Sequence, residues 1–165
     1  MKKEEAHEIF EALKSFDSEG TKNLQGRLEQ ELIRLMEKAK KAFDAGDWKE
    51  ALKFYKEAVE LEPDKYSGLW YNLGVTYRKV EIYEKALACF DRATEIDPKN
   101  GEAWYNKGIM LSKIWESLPF AKRKSYGEGD AIARCFTNAA LLAEEAKNRE
   151  LFDRATKALH KHENE

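Results

Sequence analysis

Proline, cysteine and net charge are all scarce in this chain of 165 residues. Its three prolines, at 63, 98 and 119, leave long intervals in which a helix can run without a break. Two cysteines, Cys89 and Cys135, are too few for a disulfide framework and lack metal-site spacing, so reduced thiols packed in a core are expected. Lys plus Arg (29) nearly balance Asp plus Glu (31), so no global field attracts nucleic acid. No apolar run approaches the roughly 20 residues that span a bilayer. The opening MKKEEAHEIFEALK carries acidic residues where a signal peptide has its apolar core. The expectation is a soluble, cytoplasmic protein with no membrane association. Strand-like alternation is also missing, and 36 % charged residues suit an exposed, helix-rich chain.

Catalytic patterns are missing as well. There is no Gly-rich phosphate loop, His-Glu-x-x-His pair or nucleophile elbow. Of the three histidines, His160 and His162 stand two apart and point in different directions on a helix, and His7 lies far off in a charged segment. The chain is expected not to be an enzyme and to use no cofactor or metal.

What the sequence does have is a phrase written twice: WYNLG at 70–74 returns as WYNKG at 104–108, 34 residues on. Around the first copy, Trp70, Leu73, Gly74 and Tyr77 fall at helical spacing, and Ala86, Phe90 and Ala93 do so again before Pro98. Two antiparallel helices need that order, because a small residue lets the backbones approach while large ones fill the groove beside it. Pro98 disfavours helix at Asp97 and stops the second helix.

Segment 67–100 resembles the tetratricopeptide repeat, a 34-residue helix-turn-helix unit, at all eight signature positions: Trp70, Leu73, Gly74, Tyr77, Ala86, Phe90, Ala93 and Pro98. Ala51, Tyr55, Ala58 and Pro63 repeat its second half 35 residues earlier. There Leu35 stands for Trp70, Ala39 for Gly74, and Lys38 replaces the leucine. GDW at 46–48 reads as the turn, with Gly46 ending one helix and Asp47 capping the next. A third unit opens with Trp104 and Gly108, though Lys107 and Leu111 depart from the pattern. Its second half, Cys135, Phe136, Ala139 and Leu142, comes 46 residues after Cys89, Phe90, Ala93 and Ile96, so the turn holds a 12-residue insertion within 114–129. No proline closes it, and helix is expected to run on through Glu144 and Lys147 into a capping segment striped by Leu151, Ala155 and Leu159.

The resemblance implies an all-α, right-handed α-solenoid of about eight helices. Its parts are an N-terminal amphipathic and lead-in helix (1–31), repeats over 32–66, 67–100 and 101–143, and a C-terminal capping helix (144–165). Residues 3–16 read as an amphipathic helix through Ile9, Phe10, Leu13 and Phe16, whose face can cap the array, fill its groove or mediate a homodimer. Leu24, Leu28, Leu32 and Leu35 place the start of the next helix well before the first repeat.

In this family the first helix of each repeat lines a concave groove, so the resemblance nominates binding residues. They are Ile33, Met36, Lys40, Phe43 and Asp44 in the first repeat; Gly68, Tyr71, Asn72, Val75, Arg78 and Lys79 in the second; and Glu102, Tyr105, Asn106, Ile109, Ser112 and Lys113 in the third. An extended peptide or partner helix is the expected ligand of this adaptor-like groove. One branch of the family grips chaperone C-termini with lysine, asparagine and arginine. The matching positions here hold Met36, Lys40, Asn72, Glu102 and Asn106; only Asn72 agrees, and Glu102 repels a carboxylate, which disfavours that reading. An RNA-associated repeat protein using Lys40, Arg78, Lys79, Lys113 and KRK at 122–124 is the alternative, as is a self-associating structural module. A three-residue basic run is weak support for nucleic acid.

Overall fold

Gly46 and Asp47 act at the first turn as their order predicts. In the computed structural model of the chain, which describes residues 19–119 and 128–163, Gly46 takes a left-handed φ of 77°. There its amide donates to Phe43 O (3.0 Å) and that of Asp47 to Ala42 O (2.9 Å), closing the helix end. The Asp47 side chain then accepts from Glu50 N at 3.0 Å and starts the next helix. The two helices so separated are α1 (Glu19–Asp44) and α2 (Trp48–Leu61). Thirty-five residues on, the equivalent position is Glu81, which accepts the same left-handed conformation (φ 59°) without being glycine.

The chain divides into two units, residues 1–63 and 64–165. In the first, α1 packs on α2. Leu28, Leu32, Leu35 and Ala39 recur at intervals of four, three and four, so one stripe of α1 is buried against Ala51, Tyr55, Ala58 and Val59 of α2. α1 begins at Glu19, well ahead of the first repeat, as its leucines indicate. The helix expected over 3–16 lies outside the described residues.

The second unit holds α3 (Ser67–Lys79), α4 (Tyr83–Ile96), α5 (Gly101–Ser117), α6 (Glu128–Glu145) and α7 (Arg149–Glu163). Each packs on the next, and α3 also touches α5 as α5 touches α7. Seven helices are therefore seen among the described residues against the eight expected. The glycines of the repeated phrase explain the closeness of the pairs. A Cβ on Gly74 would lie 2.9 Å from the Phe90 ring, and one on Gly108 would lie 2.7 Å from that of Phe136. Both phenylalanines are essentially inaccessible, at 0 % and 2 % exposure. Cys89 and Cys135 are buried beside them with neither in a disulfide, and burial pushes the Cys135 thiol up to about 11.

The expected continuation of helix from Glu144 into the last segment is corrected. Lys147 adopts φ 55°, its amide donates to Glu144 O and that of Asn148 to Ala143 O. Asn148 Oδ1 then accepts from Leu151 N at 3.1 Å and caps α7. An Asn placed three residues before the first stripe residue is a usable N-cap signal. Of the insertion, residues 114–117 extend α5, with Trp115 half-buried against the core of Leu111, Ile132, Cys135 and Phe136; KRK at 122–124 lies outside the described residues.

Candidate functional site

Within the second unit, the nominated side chains meet where α3, α5 and α7 touch in succession. Tyr71 on α3 leans on Phe90, and Tyr105 on α5 leans on Phe136, both with ring centroids 5.8 Å apart and tilted. Each tyrosine comes directly after a half-buried tryptophan, Trp70 or Trp104, in place of the core tryptophan expected there, and the helix turn points the two neighbouring side chains in different directions. Both tyrosines remain half-buried.

Asn106 ties the two repeats together. It is buried, at 2 % exposure; its Nδ2 donates to Glu102 O at 2.8 Å and to Tyr71 Oη at 3.4 Å. With that oxygen accepting, the Tyr71 hydroxyl hydrogen is left to point elsewhere. Burial, and then the Glu102 charge, hold this hydroxyl above its usual pKa against the pull of Arg78 and Arg154, so it remains a donor. Asn106 Oδ1 is buried with no hydrogen-bond partner among the described residues. Asn72, the same residue of the preceding phrase, is only half-buried.

Arg154, on α7, joins the site without being among the nominated residues. Its Nη1 donates to Glu102 Oε1 at 3.2 Å, and its guanidinium lies 4.4 Å from the centroid of the Tyr105 ring. The apolar stripe Leu151, Ala155 and Leu159 marks this segment only as a cap. A second stripe, Arg154, Ala158 and Lys161, runs beside the first and is the signal for a second working face.

The other nominated residues occupy varied surroundings. Val75, Arg78 and Ile109 are half-buried, while Lys79 and Lys113 are exposed; Lys113 Nζ contacts Glu116 at 3.3 Å. In the first unit, Ile33 and Met36 form an exposed apolar pair on α1 (56 % and 37 %). Lys40 is paired with Asp44 at 2.6 Å, and Phe43 is edge-on to Trp48 with centroids 5.0 Å apart. Among the described residues no group of three or more His, Cys, Asp or Glu is placed to hold a metal. None of the described helices is long and apolar enough to cross a membrane.

Two helix pairs close-packed at a repeated glycine, α3–α4 and α5–α6, each with a tyrosine and an asparagine on its first helix, together with the pair α1–α2 are the parts of an α-solenoid interaction module. Three models described as tetratricopeptide repeat match residues 34–65, 68–100 and 89–124. The chain belongs to the tetratricopeptide repeat family. Among curated proteins, it is 33 % identical over 97 residues to a tetratricopeptide repeat and J domain-containing co-chaperone of Fusarium oxysporum; the match takes 59 % of this chain and 18 % of that protein's length. Among solved structures, PcrH of Pseudomonas aeruginosa in complex with the chaperone binding region of PopD superposes with a TM-score of 0.70 at 19 % identity, over 82 % of this chain and 93 % of the other. The second domain of this kind in human RPAP3, solved with an HSP70 peptide, superposes with a TM-score of 0.65 at 18 % identity, over 82 % and 98 %. At these identities the structural matches establish the fold alone.

Proposed function

We propose that this non-enzymatic interaction module binds an extended peptide or a partner helix along the first helices of its repeats, with Tyr71 and Tyr105 as its main contacts in the second unit. The observation that carries the reading is the pair of half-buried tyrosines, each braced on a buried phenylalanine, with the Tyr71 hydroxyl fixed by Asn106. Braced rings present apolar area at little entropic cost, and a hydroxyl with its hydrogen free suits a main-chain carbonyl. Asn106, having both amide hydrogens engaged, positions Tyr71, whereas half-buried Asn72 is the amide that reaches a ligand. Val75, Arg78, Lys79, Ile109 and Lys113 flank these on α3 and α5. Met36, Lys40 and Phe43 are the equivalent positions of the first repeat. Structural relatives crystallised or solved with peptide segments support the class of ligand.

The RNA reading is weaker. Two of its cations, Lys40 and Lys113, are engaged by Asp44 and Glu116. The sequence as a whole has a net charge of -2, and phosphate binding requires unneutralised cations. The test is affinity capture from a lysate of the source cell with the wild-type chain beside a Tyr71→Glu, Tyr105→Glu variant of verified helicity. A client retained by the first and lost by the second is expected; identical captures overturn the reading.

A further inference from the structure

The row of first helices does not stop at the third repeat. α7 touches α5 much as α5 touches α3, and Arg154 in its first half already lies on Tyr105. Two turns further along, α5 and α7 enclose a cavity of about 120 Å³ whose make-up differs from the tyrosine surface. Its floor is apolar: Ile109, Phe136 and Ala158. Its rim is charged. Lys113 from α5 and Lys161 from α7 converge on one carboxylate, Glu116, at 3.3 Å and 3.9 Å. Beside them His162 meets Trp115 edge-on, with ring centroids 6.1 Å apart.

Two ammonium groups face one carboxylate on this lining, so the pocket attracts one further negative charge. Both contacts to Glu116 are long, and Lys113 and Lys161 have side-chain exposures of 51 % and 67 %, so each can swing towards a second acceptor. Ser112 donates its hydroxyl hydrogen to Gly108 O at 3.0 Å, so Lys113 and Lys161 are the flexible cationic donors of a lining that also holds Trp115 and His162. A ligand for such a site has an aliphatic stem for the floor and a carboxylate for the rim. A glutamate side chain meets both demands. A chain terminus meets them less well, because its carboxylate sits next to a peptide amide. That amide would desolvate against Ile109, Phe136 and Ala158 without an acceptor.

We propose that this α5–α7 pocket is a subsite for an acidic side chain, glutamate above all, of the segment bound by the module, with Lys113 and Lys161 as its specificity-determining cations and Glu116 as the internal competitor that occupies them in the free protein. The proposal rests on the peptide-binding reading for its biological ligand, but it makes a chemical claim about the pocket that is testable alone.

The full chain, labelled with nitrogen-15, is titrated with three blocked probes while the Trp115 indole N–H signal, assigned with Trp115→Phe, is monitored. Acetyl-leucyl-glutamyl-N-methylamide carries only a side-chain carboxylate. Its glutaminyl counterpart carries none, and acetyl-leucyl-glutamine as the free acid carries only a terminal one. The first probe is expected to shift the Trp115 signal with an affinity about 3- to 5-fold above the second, as a net gain of roughly one partly exposed charge pair gives. Lys161→Gln and Lys113→Gln each remove most of that preference. Glu116→Gln raises it, an effect that a merely structural role for Glu116 would not produce. Equal binding of the first two probes, or a preference indifferent to all three substitutions, overturns the proposal. Tighter binding of the free acid overturns the assignment to a side chain. Because the probes do not reach Tyr71, failure here leaves the capture result with the tyrosine variant untouched, and failure there leaves this titration interpretable.

Discussion

Tyr71 and Tyr105 occupy the same place in the two copies of the repeated phrase and lean on their phenylalanines at the same 5.8 Å. Their outer surroundings are nevertheless unlike. Tyr71 is held by its hydroxyl, through Asn106 of the next repeat, while Tyr105 is covered on its ring by Arg154 of α7. The amides diverge too, Asn72 being half-buried and Asn106 closed in at 2 % exposure. Stacking explains the difference. Each helix pair is modified by the element stacked on it, so identical phrases acquire different properties from unlike neighbours. Packing inside a helix pair is set by the phrase itself, and chemistry on the surface is set by position in the array.

The first half of that statement is broken most severely at the shared phenylalanines. Phe90→Ala and Phe136→Ala should each cost about 3–5 kcal/mol in urea unfolding, and the two losses should agree within roughly 1 kcal/mol if the packing modules are equivalent. A large disparity would mean that one pair bears most of the unit's stability.

The glycines sharpen the comparison next. Gly108→Ala and Gly74→Ala place a Cβ at 2.7 Å and 2.9 Å from a buried phenylalanine ring. The overpacking cost of about 1–3 kcal/mol outweighs the helical gain of about 1 kcal/mol from losing glycine. Gly26→Ala on α1 is the control, since nothing lies within 4 Å of its added Cβ. It should raise stability by up to about 1 kcal/mol. Destabilisation by all three in thermal melts would show that a general intolerance of alanine, and not the close approach, governs these sites.

The same distinction tells how much is legible in the sequence. The glycine, phenylalanine and alanine positions are visible because helix pairing imposes a periodic demand that only small-against-large satisfies. The Gly46–Asp47 turn is visible because left-handed backbone and an N-cap each favour few residue types. The break at Lys147 is hidden because lysine is not a residue that announces a left-handed turn, although Asn148 beside it is a cap. Arg154 is hidden for a different reason: its partner Glu102 lies 52 positions away, and no local pattern encodes a contact made only when α7 stacks on α5. The tyrosines are nominated through the family resemblance; that the hydroxyl of one is committed to an amide of the next repeat emerges only in the packed structure.

Asn106 tests the second half of the comparison. Replacement by leucine removes the bond to Tyr71 but also the unpartnered Oδ1, so stability should change by no more than about 1 kcal/mol. Client capture should nevertheless weaken, because Tyr71 loses its hold. Asn72→Leu should leave stability equally unchanged and weaken capture directly. If Asn106→Leu captures as wild type does, the amide has no positioning role.

The smallest effect concerns the letter by which the two phrases differ, Leu73 against Lys107. Leu73 is buried at 3 % exposure. Lys107 keeps the body of the helix face covered with its stem, places its ammonium 2.8 Å from Asp91 on α4 and 4.9 Å from the centroid of the Trp104 ring, and so replaces apolar contact with electrostatics. The first repeat makes the same substitution, with Lys38 set 5.2 Å from the centroid of the Phe54 ring. Because Lys107 and Asp91 are partly exposed, at 22 % and 41 %, a double-mutant cycle with Lys107→Leu and Asp91→Asn should return a coupling of only about 0.2–1 kcal/mol that shrinks in high salt. Lys107→Leu alone should fall within roughly 1 kcal/mol of wild type, the lost pair being offset by apolar area gained. A coupling beyond about 2 kcal/mol, or one indifferent to salt, would mean that the α4–α5 junction is locked by this charge pair, and the two phrases would then differ in packing as well as in surface.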